Sequence, residues 1–244
     1  MGQVPKYAII GNGRMAVHLC HYFTLLDISY VQWYRTEYER STLDSFLPKI
    51  THIIVLISDD SIDGFIEEFG LLQHKHLTTV HFSGSLVSPN SFAAHPLQTF
   101  SEKSSYSLDE YQKFPFIIDE AAPPFGELLP GLINPHYRVA EKDKAYYHTM
   151  CVLANNVTTL LWQKFNSEMC DRFSISSEDL QPFLQKTFEN IRRDSATALT
   201  GPIARKDHKT LARNLDSLSG DPFYTIFKEI INQFAPGGCD EKCS

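Results

Sequence analysis

The 244-residue sequence predicts an α/β fold in which a doubly wound parallel sheet is followed by an all-α region, and three observations carry that expectation. Short β-rich runs alternate with helical stretches up to about residue 140, the βαβ pattern. A glycine-rich turn, Gly11-Asn12-Gly13-Arg14-Met15-Ala16, sits between the first β-rich run and the first helical stretch. After Ala140 only helical patterns remain. The expected domains are therefore 1–140, with the sheet, and 141–244, all helical.

The strand candidates in order are Tyr7–Ile10, Ser29–Trp33, His52–Ile57, Thr79–Phe82, Pro115–Ile118 and Tyr137–Ala140. Near-continuous apolar runs such as Ile53–Ile57 suit a sheet covered on both faces. From Glu141 to about Asn166 no Pro or Gly interrupts the chain, so one long helix is expected. Ser176-Ser177 should cap a second helix reaching Asp194, and Asp207 a third through Leu218. Asp221-Pro222, an N-cap followed by proline at the first helical position, should open a last helix to Phe234. The segment Thr200–Asp207 reads as a polar loop.

With 43% hydrophobic and 21% charged residues, the chain can bury a core and is neither disordered nor fibrous. Its 22 basic against 29 acidic residues give a net charge of −7, which disfavours a nucleic-acid partner. The longest aliphatic run, Ile53–Ile57, is far below the ~20 residues of a membrane span. Gly11 to Arg14 break any signal-peptide core, Lys6 spoils a myristoylation pattern, and a cytoplasmic, soluble protein is expected. Five cysteines, Cys20, Cys151, Cys170, Cys239 and Cys243, show no zinc-ribbon or thioredoxin spacing and fit free thiols. Cys239 and Cys243 are either incidental or a pair in a loose tail. His74, His76 and His81 have no carboxylate or thiol at ligand spacing, so no metal site is expected.

The turn at Gly11 has the form G-x-G-x-x-A after a strand and before a helix. In that setting the first glycine permits the tight turn and the second lets backbone N–H groups of Asn12, Gly13, Arg14 and Met15 approach a pyrophosphate. Ala16 allows close packing, with the helix N-terminus facing the anion. A tight turn without ligand is the alternative. The second strand should end with an acid when NAD is bound, but Gln32-Trp33-Tyr34-Arg35-Thr36 has none. Arg35, with Thr36 and either Arg40 or Ser41, can instead grip a 2′-phosphate, so NADP is preferred over NAD. A solvated arginine is the other reading. Ser58, Asp59 and Ser83, at the ends of later strands, are candidate walls of the nicotinamide pocket, while Asp60 or Ser61 reads as a helix N-cap. No G-x-S-x-G elbow surrounds Ser83 or Ser85.

Six segments in order, Ile10–Ala16, Ile57–Ile62, His81–Leu86, His95–Phe100, Tyr147–Asn155 and Leu199–Asp207, resemble a family of Rossmann-like proteins assigned as oxidoreductases whose C-terminal half is a helical domain of unknown function. That family is similar to ketopantoate reductase, pyrroline-5-carboxylate reductase and the 6-phosphogluconate and 3-hydroxyisobutyrate dehydrogenases. The resemblance implies an NADP-binding Rossmann domain, a long interdomain helix and a helical domain that builds a homodimer. Hydroxyisobutyrate-type enzymes carry a Lys three residues before an Asn on that helix. Here Asn155 matches the Asn, but Val152 occupies the lysine position.

On the long helix His148, Cys151 or Val152, Asn155 and then Thr158 or Thr159 fall at helical spacing on one face. His148 can donate a proton to a carbonyl or imine receiving hydride, and Asn155 can orient substrate or nicotinamide. Both could equally satisfy neighbouring backbone groups. His95, before Pro96, resembles the His-Pro turn of prephenate-type dehydrogenases and is a second acid–base candidate. Arg205 or Lys206 could hold a substrate carboxylate. The expected function is NADP-dependent hydride transfer to or from a small carbonyl or imine bound between the two domains. The alternatives are a dinucleotide-sensing protein with a vestigial active site, favoured by Val152, and a structural dimer with an empty fold.

Overall fold

The computed structural model describes residues 6–102 and 106–236. Cys239 and Cys243 lie outside the described residues. Seven strands form one sheet: β1 (Tyr7–Ile10), β2 (Tyr30–Trp33), β3 (His52–Val55), β4 (Thr78–His81), β5 (Phe92–Pro96), β6 (Phe116–Asp119) and β7 (His136–Val139). Their order is β2-β1-β3-β4-β5-β6-β7. Strands β1 to β5 are mutually parallel, β5 pairs antiparallel with β6 (Ala94 opposite Ile118), and β6 is parallel to β7. This is a Rossmann-type α/β sheet followed by a helical region, as the pattern predicts.

Period-two alternation splits the apolar side chains between two cores. Tyr7, Ile9 and Ile54 enter one, with Leu19 and Phe23 of α1 (Arg14–Leu25) and Phe125 and Leu128 of α5 (Phe125–Leu128). Ala8, Ile10, Ile53 and Val55 enter the other, with Leu43 of α2 (Arg40–Phe46) and Ile62, Phe65 and Ile66 of α3 (Asp59–Glu68). A short helix, α4 (Leu108–Lys113), brings Tyr111 to the first core.

Two expectations need correction here. The segment around His95 is not a turn but strand β5, which sequence reading missed because Pro89-Asn90 and Pro96 mark its flanks as loop. Pro96 is tolerated as the last residue of the strand. The polar stretch 200–207 also holds a helical turn, α9 (Gly201–Arg205), closed by Lys206 in the left-handed region at φ 52°.

The stretch after Ala140 is helical throughout but not uniform. A 3-10 turn (Glu141–Asp143) leads into α6 (Lys144–Val152), a π-helical turn spans Leu153–Val157, and α7 (Thr158–Phe173) follows. Further on, α8 (Ser177–Arg193) is capped by Ser176 and α10 (His208–Asp216) by Asp207. The last helix is α11 (Phe223–Phe234), whose Phe223 N–H is accepted by the Asp221 carboxylate at 2.8 Å. The described residues fall into two compact units divided after Leu161. The second has its own small core of Leu211, Leu215, Ile231 and Ala235.

In the first unit, α6 is fastened to the sheet by charge. Lys144, with its side chain 3% exposed, donates to Asp119 on β6 at 2.7 Å. The other Asp119 oxygen accepts from the Ala93 N–H on β5 at 2.6 Å. Removing one partner would leave the other charge uncompensated. Asp119→Ala is therefore expected to lower the unfolding free energy in urea by roughly 3–5 kcal/mol, and the double substitution Asp119→Leu with Lys144→Met by much less. Equal losses in the two variants would contradict this account.

Candidate active site

The strand order reverses between β1 and β3, and the crevice at their carboxyl ends is where a Rossmann sheet offers a binding site. Gly11, at φ 119°, begins the turn there, and a β-carbon on it would stand 2.3 Å from the Leu56 carbonyl oxygen. Only glycine fits. Gln32 on β2 holds the Gly11 carbonyl through its side-chain amide at 2.8 Å, a contact that the sequence did not advertise. Gly13 is different, because a β-carbon on it would meet nothing within 4 Å. It caps α1 in an extended conformation, with the helix N-terminus open above it. Ala16 is fully buried, and Met15 is part-buried against the same core.

Gly11, Asn12, Arg35, Thr36 and Ser61 line a cavity of about 290 Å³ between the fingerprint turn and the end of β2. Arg35 is not free within it: its guanidinium pairs with Glu68 of α3 at 2.8 Å, and Glu68 is also near Arg40 at 4.0 Å. Arg40 in turn lies 4.6 Å over the Phe69 ring. Arg14 reaches away from its own turn to Glu102 at 2.8 Å. Ser58, rather than Asp60 or Ser61, is the N-cap of α3, and its hydroxyl lies 2.9 Å from that of Ser61.

Asp59 and Ser83 come together, the serine hydroxyl donating to the carboxylate. Ser83 also organises its own loop, accepting the N–H groups of Leu86 at 3.0 Å and Ser85 at 3.3 Å, while its N–H donates to His81 Nδ1 at 3.2 Å. The next residue, Gly84, packs against two imidazoles. A β-carbon there would lie 2.6 Å from His148 Cδ2 and 3.1 Å from His95 Cδ2. The two rings meet edge to face, centroids 5.8 Å apart.

His95, His148 and Asn155 line one cavity of about 330 Å³ together with Cys151, Val152, Gln98 and Thr99. The three catalytic candidates are thus neighbours, brought there by β5, α6 and the π-helical turn. The expected stripe does not extend to Thr158 or Thr159. The π turn rotates the chain so that Asn155 and Asn156 both face the cavity. Sequence reasoning also missed Tyr147, whose hydroxyl lies 2.7 Å from His95 Nδ1, because a tyrosine beside a conspicuous histidine gives no separate signal.

Burial keeps His95 neutral, lowering its pKa to about 4; His148 and Lys144 push the same way and Asp59 opposes. Burial is also the main cause for His81, again at about 4, with Lys144 adding and Asp119, Asp59 and Asp63 opposing. The Tyr147 hydroxyl is pushed up by burial and by the adjacent Cys151. Among the described residues no group of three His, Cys, Asp or Glu could hold a metal ion, and no helix is long and apolar enough to cross a membrane.

Sheet order, fingerprint turn and helical tail define a Rossmann-fold protein with an appended helical region. Residues 119–233 match the model of a family described as a domain of unknown function, DUF2520. No curated protein matches the sequence. The chain is similar in fold to a proposed NADP oxidoreductase from Bacteroides fragilis (TM-score 0.72, 18% identity, covering 96% of this chain and 98% of that one). It is similar also to a protein from Thermotoga maritima (TM-score 0.65, 17% identity, covering 93% and 96%). A third is an imine reductase from Myxococcus stipitatus solved with NADP+ (TM-score 0.62, 14% identity, covering 94% and 95%). At these identities the likeness establishes the fold.

The buried imidazoles carry a stability signature. His52, His81 and His95 all have pKa values held below the ordinary 6.5 by burial. Between that value and the lower folded one, the unfolded chain binds more protons than the folded chain. The contribution is fully present above about pH 6.5 and is lost as pH falls toward 4. Urea midpoints measured from pH 7.5 to 5.5 should therefore decline, before carboxylates begin to titrate. A flat profile would show that these rings are not buried neutral.

Proposed function

We propose that the protein is an NADP-dependent oxidoreductase acting on a small carbonyl or imine in the His95–His148–Asn155 cavity. The observation that carries this reading is the continuity of the two ends of the crevice. The fingerprint turn and Arg35 form one end, and the Asp59–Ser83 contact leads to Gly84 and the two histidines at the other. The fold relatives described with NADP or its chemistry support the same reading.

The residues present fit a dinucleotide. Gly13 leaves open space at the N-terminus of α1, where backbone N–H groups of Asn12 to Met15 would hold a pyrophosphate. Arg35 and Thr36 would hold the 2′-phosphate, with Ser58, Asp59 and Ser83 toward the nicotinamide. When bound, the reduced nicotinamide supplies hydride to the substrate carbon. The chain's own task is to orient the substrate, through the Asn155 amide, and to deliver a proton to its oxygen or nitrogen from His148. A non-catalytic dinucleotide sensor is the second reading, and Val152, which lines the same cavity where related enzymes place lysine, favours it. We place the protein in the cytoplasm.

We also infer a homodimer through the helical region. Helix α8 presents Leu180, Phe183, Leu184, Thr187, Phe188 and Ile191 at helical spacing, yet only Leu180 is buried, with Phe183 59% and Phe188 61% exposed. A 17-residue helix in water is held mainly by covering such a face, and a second copy offers the matching one.

Two measurements test these readings. NADPH should raise the thermal midpoint more than NADH, and Arg35→Ala should weaken NADPH binding about tenfold or more, by loss of a charged hydrogen bond, while changing NADH little. No stabilisation by any dinucleotide would reject the oxidoreductase and sensor readings together. Light scattering should give twice the chain mass, falling to one on Phe183→Glu with Phe188→Glu; a wild-type monomer at micromolar concentration would reject the dimer.

A further inference from the structure

The mechanism above uses the His148 proton and the Asn155 amide but leaves the hydrogen bond at His95 unexplained. His95 has its two ring nitrogens in different settings. Nδ1 lies 2.7 Å from the Tyr147 hydroxyl, with the rings near perpendicular at 77°. Nε2 has no hydrogen-bond partner among the described residues, and the ring lines the cavity shared with His148 and Asn155. It is not one of the buried, unpartnered side-chain nitrogens, unlike His81 Nε2. The ring is held on three sides: β5 carries its backbone, Tyr147 fixes Nδ1, and Gly84 lies against Cδ2 and Cγ.

We propose that Tyr147 is a positioning residue that fixes His95 as the tautomer protonated on Nε2, so that a neutral imidazole presents an N–H donor to the substrate's oxygen or nitrogen. This rests on the oxidoreductase reading for the identity of the acceptor, but not for the tautomer. A phenol carries one proton. It has two neighbours to receive it, the imidazole nitrogen and the Cys151 sulfur, which lies beside the hydroxyl. A thiol is a weak acceptor and an imidazole nitrogen a strong one, so the proton points to Nδ1. A neutral imidazole protonated on one nitrogen accepts at the other, and Nε2 must then carry the hydrogen.

The groups facing this ring are consistent with a neutral donor. Tyr147, His148 and Lys144 on α6 and Asp59 at the start of α3 surround it, and Lys144 is already paired with Asp119. A polarising hydrogen bond needs no proton transfer through His95, which leaves that step to His148. It also accounts for Gly84, since a side chain there would displace both imidazoles at once.

The test reads the tautomer directly. On the full chain labelled with nitrogen-15 in histidine, and with His95 assigned by its loss in His95→Asn, the ring should show hydrogen on Nε2 and none on Nδ1 between about pH 6 and 8. In Tyr147→Phe, which keeps the ring packing, the two tautomers should mix. Hydrogen on Nδ1 in the wild type, or an unchanged spectrum in Tyr147→Phe, would overturn the proposal. Because no dinucleotide is needed, this outcome stands even where the hydride-transfer reading fails. Where a carbonyl or imine is reduced with NADPH, Tyr147→Phe should lower kcat roughly ten- to hundredfold with KM little changed, as expected for a mispositioned group. A change in KM alone would also overturn it.

Discussion

Lys144 holds a full positive charge at 3% side-chain exposure, which water would not permit without a partner, and Asp119 supplies it at 2.7 Å. The carboxylate is itself fixed by the Ala93 N–H and by its place at the end of β6. Arg138 on β7 closes the turn that follows, donating to the carbonyls of Asp119, Glu120, Ala122 and Pro123 at 2.7 to 3.1 Å. The position of α6 is thereby set by charge at its first residue. Tyr147 and His148 follow within about one turn, and they reach His95 because β5 neighbours β6 in the sheet. A hydrophobic contact would have located α6 less sharply, since apolar surfaces slide at little cost. The ion pair fixes register, and register is what the histidine cavity needs.

Much of this was legible in the sequence, and what was not has a physical cause. The fingerprint turn was readable because Gly11 answers a hard steric limit, the Leu56 carbonyl 2.3 Å from any β-carbon. The caps Ser176 and Asp207 were readable for a similar reason: an unpaired backbone N–H has few side chains able to satisfy it. Strand β5 was hidden because its five residues end on Pro96, follow closely on Pro89-Asn90 and pair only with β4 and β6. Tyr147 and Glu68 were hidden because nothing local marks them. Each acts on a partner remote in sequence, His95 and Arg35, and a single sequence gives no distances.

The acidic balance of the chain is a weak guide to its ligand. Around the end of β2, Arg35 and Arg40 share Glu68 and Arg40 also pairs with Asp44 at 3.8 Å, so two cations meet two carboxylates before any ligand arrives. The Arg35–Glu68 pair is solvent-exposed, and such pairs contribute about 0–1 kcal/mol. A forked guanidinium on a phosphate makes hydrogen bonds to charge of about 1.5–3 kcal/mol each. Glu68 can therefore hold Arg35 in place without outcompeting a 2′-phosphate. The net charge of −7 and the proposed preference for an anion with an extra phosphate do not conflict.

The π-helical turn at Leu153–Val157 bears on the missing lysine. A regular helix would carry the His148 stripe on through Asn155 to Thr158 or Thr159. It would also put Asn156 about 100° away from its neighbour. The wider turn inserts a residue, and the cavity receives both Asn155 and Asn156 beside Val152. π turns are rare because their hydrogen bonding is poorer, and they concentrate where function repays the cost. Here the turn gives the cavity two amides beside Val152, the position that matches the lysine of the hydroxyisobutyrate-type dehydrogenases the sequence resembles. Two neutral amides can orient a polar substrate but cannot relieve a developing negative charge as lysine does. In the proposed reaction that demand would fall on the imidazoles of His95 and His148, which β5 and α6 set around the same space.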